Sequence, residues 1–139
     1  MKKLFQSSDF KCTSYNQCEV IIHTMQEKKD LPVALLTGSG KSIVLMLAVM
    51  LGSGKTFLVI ISLISLLENW KYQLKLSCIR YNIFWHGMHV FPDSPIVLAN
   101  IDLTIKSDLI ECIGNAYAHK SFGRVVIDEF HDILVSCEF

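Results

Sequence analysis

Between residues 31 and 67 the chain carries no acid and only two bases, Lys41 and Lys55, and this stretch constrains the fold more than any other. Two apolar runs lie in it, Ile43 to Leu51 with nine residues and Phe57 to Ile61 with five. Both fall short of the ~18 to 20 apolar residues that span a bilayer. Gly52-Ser53-Gly54-Lys55-Thr56 divides them with a charge and flexible residues. Short, unbroken apolar runs suit elements buried on both sides, as in a parallel sheet covered by helices. No membrane partner is expected.

The elements around this stretch alternate. Cys18, Ile21, Ile22 and Met25 stand at i, i+3, i+4 and i+7 and predict a helix over 15–28 with one apolar stripe. Residues 32–36 read as a short buried strand. The run 43–51 is rich in Leu, Met and Ala and reads as a buried helix, whereas the β-branched run 57–61 reads as a strand. A helix over 64–74 follows, then strands over 79–84 and 95–99, with an aperiodic loop at 85–93 between them. Leu109, Ile113 and Tyr117 mark one face of a helix over 107–117, and 124–128 is an apolar strand ending in acid. Such alternation predicts an α/β fold with a mostly parallel sheet of about five strands.

The length of 139 residues predicts one domain with a real core. With 51% hydrophobic residues, 19% charged and no formal net charge, the chain is neither a disordered segment nor a polybasic tail. Nucleic acid, if bound, must be held by local contacts. Five cysteines without a CxxC pair predict buried free thiols and a reducing compartment, nuclear or otherwise intracellular. Met1-Lys2-Lys3 is followed by polar residues where a signal peptide needs an apolar region. His86-x-x-His89 with Cys78 lacks a second ligand pair, so no structural zinc is expected.

Gly-Ser-Gly-Lys-Ser/Thr occurs twice, at 38–42 and at 52–56, with the ending of a P-loop. Phosphate binding of this kind needs a strand that delivers a glycine turn, a Lys for the β/γ oxygens and a hydroxyl for Mg²⁺, all at a helix N-terminus. The strict pattern has a further Gly five residues before the last one, where this chain has Leu35 and Val49. The first copy opens onto helix formers and the second onto Phe-Leu-Val-Ile-Ile, a strand composition, which favours Lys41 and Ser42. Lys55 then reads as a turn lysine; the alternative is another P-loop enzyme that uses the second copy. The segment Val125-Val126-Ile127-Asp128-Glu129-Phe130-His131 puts two acids at a strand end, 87 residues beyond Lys41. There one carboxylate can hold Mg²⁺ and the other orient or deprotonate a water. The acids could equally start a helix.

These residues carry a family resemblance. Thr37-Gly38-Ser39-Gly40-Lys41-Ser42 resembles motif I, and Asp128-Glu129-Phe130-His131 motif II, of superfamily 2 DEAD/DEAH-type helicases, with Phe130 where DEAH has Ala. Residues 63–70, Leu-Ile-Ser-Leu-Leu-Glu-Asn-Trp, are similar to motif Ia of RecQ-type helicases, with Ser62 in place of the usual Pro. Residues 99–102 fall where motif Ib stands and match it poorly. Gln17, 24 residues before Lys41, stands where those helicases place the glutamine that reads adenine, and Ser14-x-x-Gln17 also fits a capping box.

The resemblance implies a three-layer RecA-like P-loop domain that takes ATP and Mg²⁺. Thr37 to Gly40 would cradle the phosphates, Lys41 would hold the β/γ oxygens, Ser42 and Asp128 the Mg²⁺, and Glu129 would activate water. His131 would couple nucleotide state to a second domain. The implied activity is ATP-dependent, 3′–5′, RecQ-like DNA unwinding. The sequence ends eleven residues after Asp128, before the family's motif III and second RecA-like domain. Residues 1–139 are therefore expected to be an incomplete first domain that binds DNA weakly and does not unwind it alone. A catalytically silent nucleotide-binding or interaction relic is the alternative.

Overall fold

The computed structural model describes residues 15–26, 41–51, 54–104 and 106–129. The chain divides into two compact units, Met1–Ser53 and Gly54–Phe139. The first contains α1 (Tyr15–Met25) and α2 (Lys41–Leu51), which pack together. The second contains β1 (Thr56–Ile61), α3 (Ile64–Leu76), β2 (Tyr81–Ile83), β3 (Ile96–Asn100), α4 (Ser107–Ala118) and β4 (Phe122–Ile127), with a short 3-10 turn at Ile101–Leu103.

The four strands form one wholly parallel sheet in the order β2-β3-β1-β4. The expected fifth strand, at 32–36, lies outside the described residues. From β1 the chain steps over β3 to β2 by way of α3; from β3 it steps over β1 in the opposite direction to β4 by way of α4. Right-handed crossovers in opposite directions put α3 and α4 on opposite faces. The β2–β3 connection runs in the same direction as β3–β4 and so shares α4's face. Leu58, Val97 and Ala99 of the sheet accordingly meet Leu109, Cys112 and Ala116 of α4 and Phe84, Met88 and Phe91 of that connection in one buried cluster. The three-layer α/β architecture agrees with the expectation. Phe57, Leu58, Val59 and Ile61 on β1 and Ile96 to Ala99 on β3 are all buried, as central parallel strands require.

Two faces differ from the helical periodicity. On α1 the buried side chain is Gln17, while Ile22 is 53% exposed. On α4 burial follows Leu109, Cys112 and Ala116, and Tyr117 at the helix end is exposed. In both cases the packed neighbours choose a face rotated from the one that apolar spacing alone selects. α2 is inward-facing over six consecutive residues, Val44 to Val49, in keeping with a buried helix. Cys112 is a buried free thiol as expected, whereas Cys78 is free but exposed and Cys18 is disulfide-bonded, against the expectation of buried free thiols throughout. Among the described residues no helix is long and apolar enough to cross a membrane.

β4 joins β1 through a bulge: the register moves from Thr56↔Phe122 to Leu58↔Val125, so Gly123 and Arg124 together oppose Phe57. A Cβ at Gly123 would lie 2.9 Å from the Phe57 ring and 3.2 Å from the Thr56 carbonyl oxygen. The ring is buried and cannot step aside freely. Gly123→Ala should therefore lower unfolding stability by about 1–3 kcal/mol, the usual cost of overpacking. Chemical denaturation is the measurement, and an unchanged midpoint would show that the bulge has slack.

Candidate functional site

The candidate residues fall in both units, and each half is built on its own. In the first unit Lys41 and Ser42 are the first two residues of α2. The leading N–H groups of a helix have no partner within it, and the helix dipole favours an anion there. Thr37, Gly38, Ser39 and Gly40 lie outside the described residues. Gln17 is 2% exposed, so its amide is turned inward on α1 rather than presented at a surface.

In the second unit Asp128 directly follows β4. Its main-chain N–H donates to the Ile60 carbonyl at 3.0 Å and extends the ladder with β1. The acid thereby sits at the carboxyl end of the sheet, the end at which open α/β sheets bind ligands. Its carboxylate accepts two hydrogen bonds. The buried Trp70 indole donates Nε1–H to Oδ2 at 2.6 Å, and the Glu129 main-chain N–H donates to Oδ1 at 3.1 Å.

Glu129 has φ +52°, in the left-handed region. Cys78 and Lys120 share that conformation, but each stands one residue beyond a helix cap, where the reversed-bond motif demands it. Ile79 N–H to Leu74 O and Ser121 N–H to Ala116 O, both 3.0 Å, complete those caps. Glu129 follows a strand, and its backbone is strained at a candidate catalytic position. Asp128 and Glu129 therefore form a turn after the strand. Phe130 and His131 lie outside the described residues.

The second Gly-Ser-Gly-Lys-Thr copy is placed otherwise. Gly54 has φ +72° and Lys55 leads straight into β1, so this copy opens a strand and not a helix. The Thr56 hydroxyl donates to the Ser94 carbonyl at 3.0 Å in a buried contact. Thr56 is also at the amino end of the sheet. Five residue steps along β1, roughly 16 Å at 3.3 Å each, separate it from the end that carries Asp128.

The remaining motif segments gather at the carboxyl edge. Ser62 and Leu63 follow β1 and lead into α3, and Asn100 ends β3, its side chain accepting the Asp102 N–H at 2.8 Å. Trp85, 59% exposed, follows β2. His86 and His89 do not converge: His86 Nδ1 meets Asp108 Oδ2 at 2.6 Å and His89 Nδ1 meets Glu111 Oε2 at 3.1 Å, which fastens the 85–93 loop to α4. Cys112 lies under this loop, its Sγ donating to the Met88 carbonyl, and burial pushes its thiol up from the ordinary value.

The residue that sequence reasoning missed is Trp70. The periodicity of α3 marks it as buried with Leu74, but nothing in the sequence says that its N–H meets a carboxylate 58 positions away.

A parallel α/β sheet with two adjacent acids at its carboxyl end has the edge at which open α/β domains bind their ligands. Residues 14–139 match the family model of the DEAD/DEAH box helicase, and the chain belongs to that family. No curated protein matches it. Membership implies ATP binding, typically with Mg²⁺, and a function on nucleic acid.

The Gly87 main-chain N–H, donating to Asp108 Oδ2 at 2.8 Å, and the adjacent His86 ring hold the Asp108 carboxyl below its ordinary range, against the opposing effect of desolvation. A lowered folded value means that the contact stabilises above the ordinary Asp range and is lost as pH falls through the lowered one. The Gly87 amide resonance should accordingly titrate in acid below the usual Asp value of about 3.9, and Asp108→Asn should abolish that titration. A Gly87 shift that follows an unperturbed carboxyl would contradict the assignment.

Proposed function

We propose that the chain is the ATP-binding first RecA-like domain of a RecQ-like, 3′–5′ DNA helicase, with hydrolysis coupled to unwinding when a second such domain closes on it. The observation that carries the reading is the position of Asp128 and Glu129 at the carboxyl end of β4, within a chain of this family. Asp128 offers two fixed carboxylate oxygens and Ser42 a hydroxyl, hard oxygen donors of the kind Mg²⁺ takes. When bound, that ion neutralises charge on the phosphates. Lys41 would contact the β/γ oxygens with Thr37 to Gly40 around them, and Glu129 would accept the proton of the attacking water. Ser62, Leu63 and the 100–104 segment, at the same edge of the sheet, would contact DNA. For Gln17 to read adenine, its amide must leave its buried position. The buried Thr56 hydroxyl and the strand after Lys55 weigh against the second copy as the phosphate site.

Comparing Mg-ATP binding by the wild type with Lys41→Ala and Lys55→Ala tests this assignment. Losing Lys41 should weaken binding at least tenfold, about 1.4 kcal/mol, because a charge-assisted contact to phosphate is removed. Lys55→Ala should bind as the wild type does. Equal losses would overturn the choice of site.

The acids have separable effects. Glu129→Gln should leave Mg-ATP binding within about twofold while abolishing hydrolysis, since an amide keeps the shape but cannot take the proton. The assay is ATPase activity in the presence of a partner RecA-like domain. Unchanged turnover would show that Glu129 only begins the segment after the strand.

A further inference from the structure

We infer that Trp70 is the positioning residue of the Asp128 carboxylate, holding it in the orientation that receives the Mg²⁺ of bound ATP. The inference rests on the proposed nucleotide site and deepens it. Asp128 follows β4 and Trp70 lies on α3, so nothing in local chain geometry brings the two together; the contact is tertiary and 58 residues long. Trp70 is only 5% exposed. A buried indole N–H needs an acceptor. This one takes Oδ2 of a charged group at 2.6 Å, a short, charge-assisted bond.

The geometry has a consequence for the carboxylate. A free Asp side chain rotates about its last bond over a broad range. Here a donor sits on each oxygen, the indole on Oδ2 and the Glu129 N–H on Oδ1. With both oxygens held, rotation would break two bonds at once. Each oxygen still keeps acceptor capacity, because an ionised carboxylate offers about four lone-pair sites. The carboxylate is thus fixed and still able to accept a hard cation or its water shell. Support of this kind, from groups that bind the ligand-bearing side chain rather than the ligand, commonly governs metal affinity. Trp70 is carried on α3 next to Leu74, which is fully buried, so the donor is anchored in the core.

The test uses the full chain and reads the Mg²⁺ concentration that half-saturates ATP binding. Trp70→Phe keeps an aromatic ring and removes the N–H. It should raise that concentration threefold or more, with the affinity at saturating Mg²⁺ nearly unchanged. Asp128→Asn should raise it as well, and Trp70→Phe should add nothing in the Asp128→Asn background. The chain has two tryptophans, so Trp85→Phe leaves Trp70 as the only indole emitter, and this second measurement does not depend on whether the Trp70 variant folds. Mg-ATP should then shift the Trp70 emission in Trp85→Phe and leave it unmoved in Trp85→Phe/Asp128→Asn. If Asp128→Asn raises the Mg²⁺ requirement while Trp70→Phe does not, or the two effects add, Trp70 is a core residue only and the inference fails with the nucleotide reading intact. If Asp128→Asn changes nothing, the nucleotide reading fails and takes the inference with it.

Discussion

Parallel pairing of β1 with β4 is the constraint from which the rest of the second unit follows. Residues 57–61 are nearly all buried, and a strand that apolar cannot sit at a solvated edge. With β3 on one side and β4 on the other, its backbone donors and acceptors are satisfied in the core. Parallel direction then brings the ends of β1, β3 and β4 to one edge. That edge receives Ser62, Asn100 and Asp128, while Thr56, Ser94 and Ser121 meet at the other. Separation of chemistry from scaffold is therefore a matter of strand direction.

Two nearly identical pentapeptides differ in the element that follows each of them. A glycine turn serves phosphate only when a helix begins after it, because the unpaired N–H groups and the dipole belong to the helix. Lys41 starts α2; Lys55 precedes a strand. Beyond Lys55, Thr56 is committed through its hydroxyl to Ser94 and through its N–H to Ser121, at 3.0 and 2.8 Å. The second copy closes the amino end of the sheet. Its glycine at 54 is needed for a left-handed turn, with φ +72°.

Much of this architecture was legible as period and composition. The apolar runs at 43–51 and 57–61, one rich in Leu and Met and the other in β-branched residues, separate correctly into α2 and β1, and the aperiodic 85–93 segment is a loop. What was not legible depends on partners distant in the chain. The inward turn of Gln17 and the exposure of Ile22 and Tyr117 are set by packing. The need for glycine at 123 in the bulge comes from the Phe57 ring, which lies against it from the neighbouring strand. At the candidate site, Asp128 and Glu129 were visible as an apolar strand ending in acid, but the indole that holds Asp128 comes from α3, beyond the reach of any local pattern.

On the proposed reading the carboxyl edge at Asp128, and not the turn at Gly54 to Thr56, receives the metal of bound nucleotide. The most direct test of that reading is a crystal of the chain grown with Mn²⁺ and a non-hydrolysable ATP analogue, in which the anomalous signal locates the ion without reference to any assumed site. One strong peak is expected beside the Asp128 carboxylate, bound directly or through a water, with the Trp70 N–H still on Oδ2. A peak beside Thr56 with none at Asp128 would contradict it.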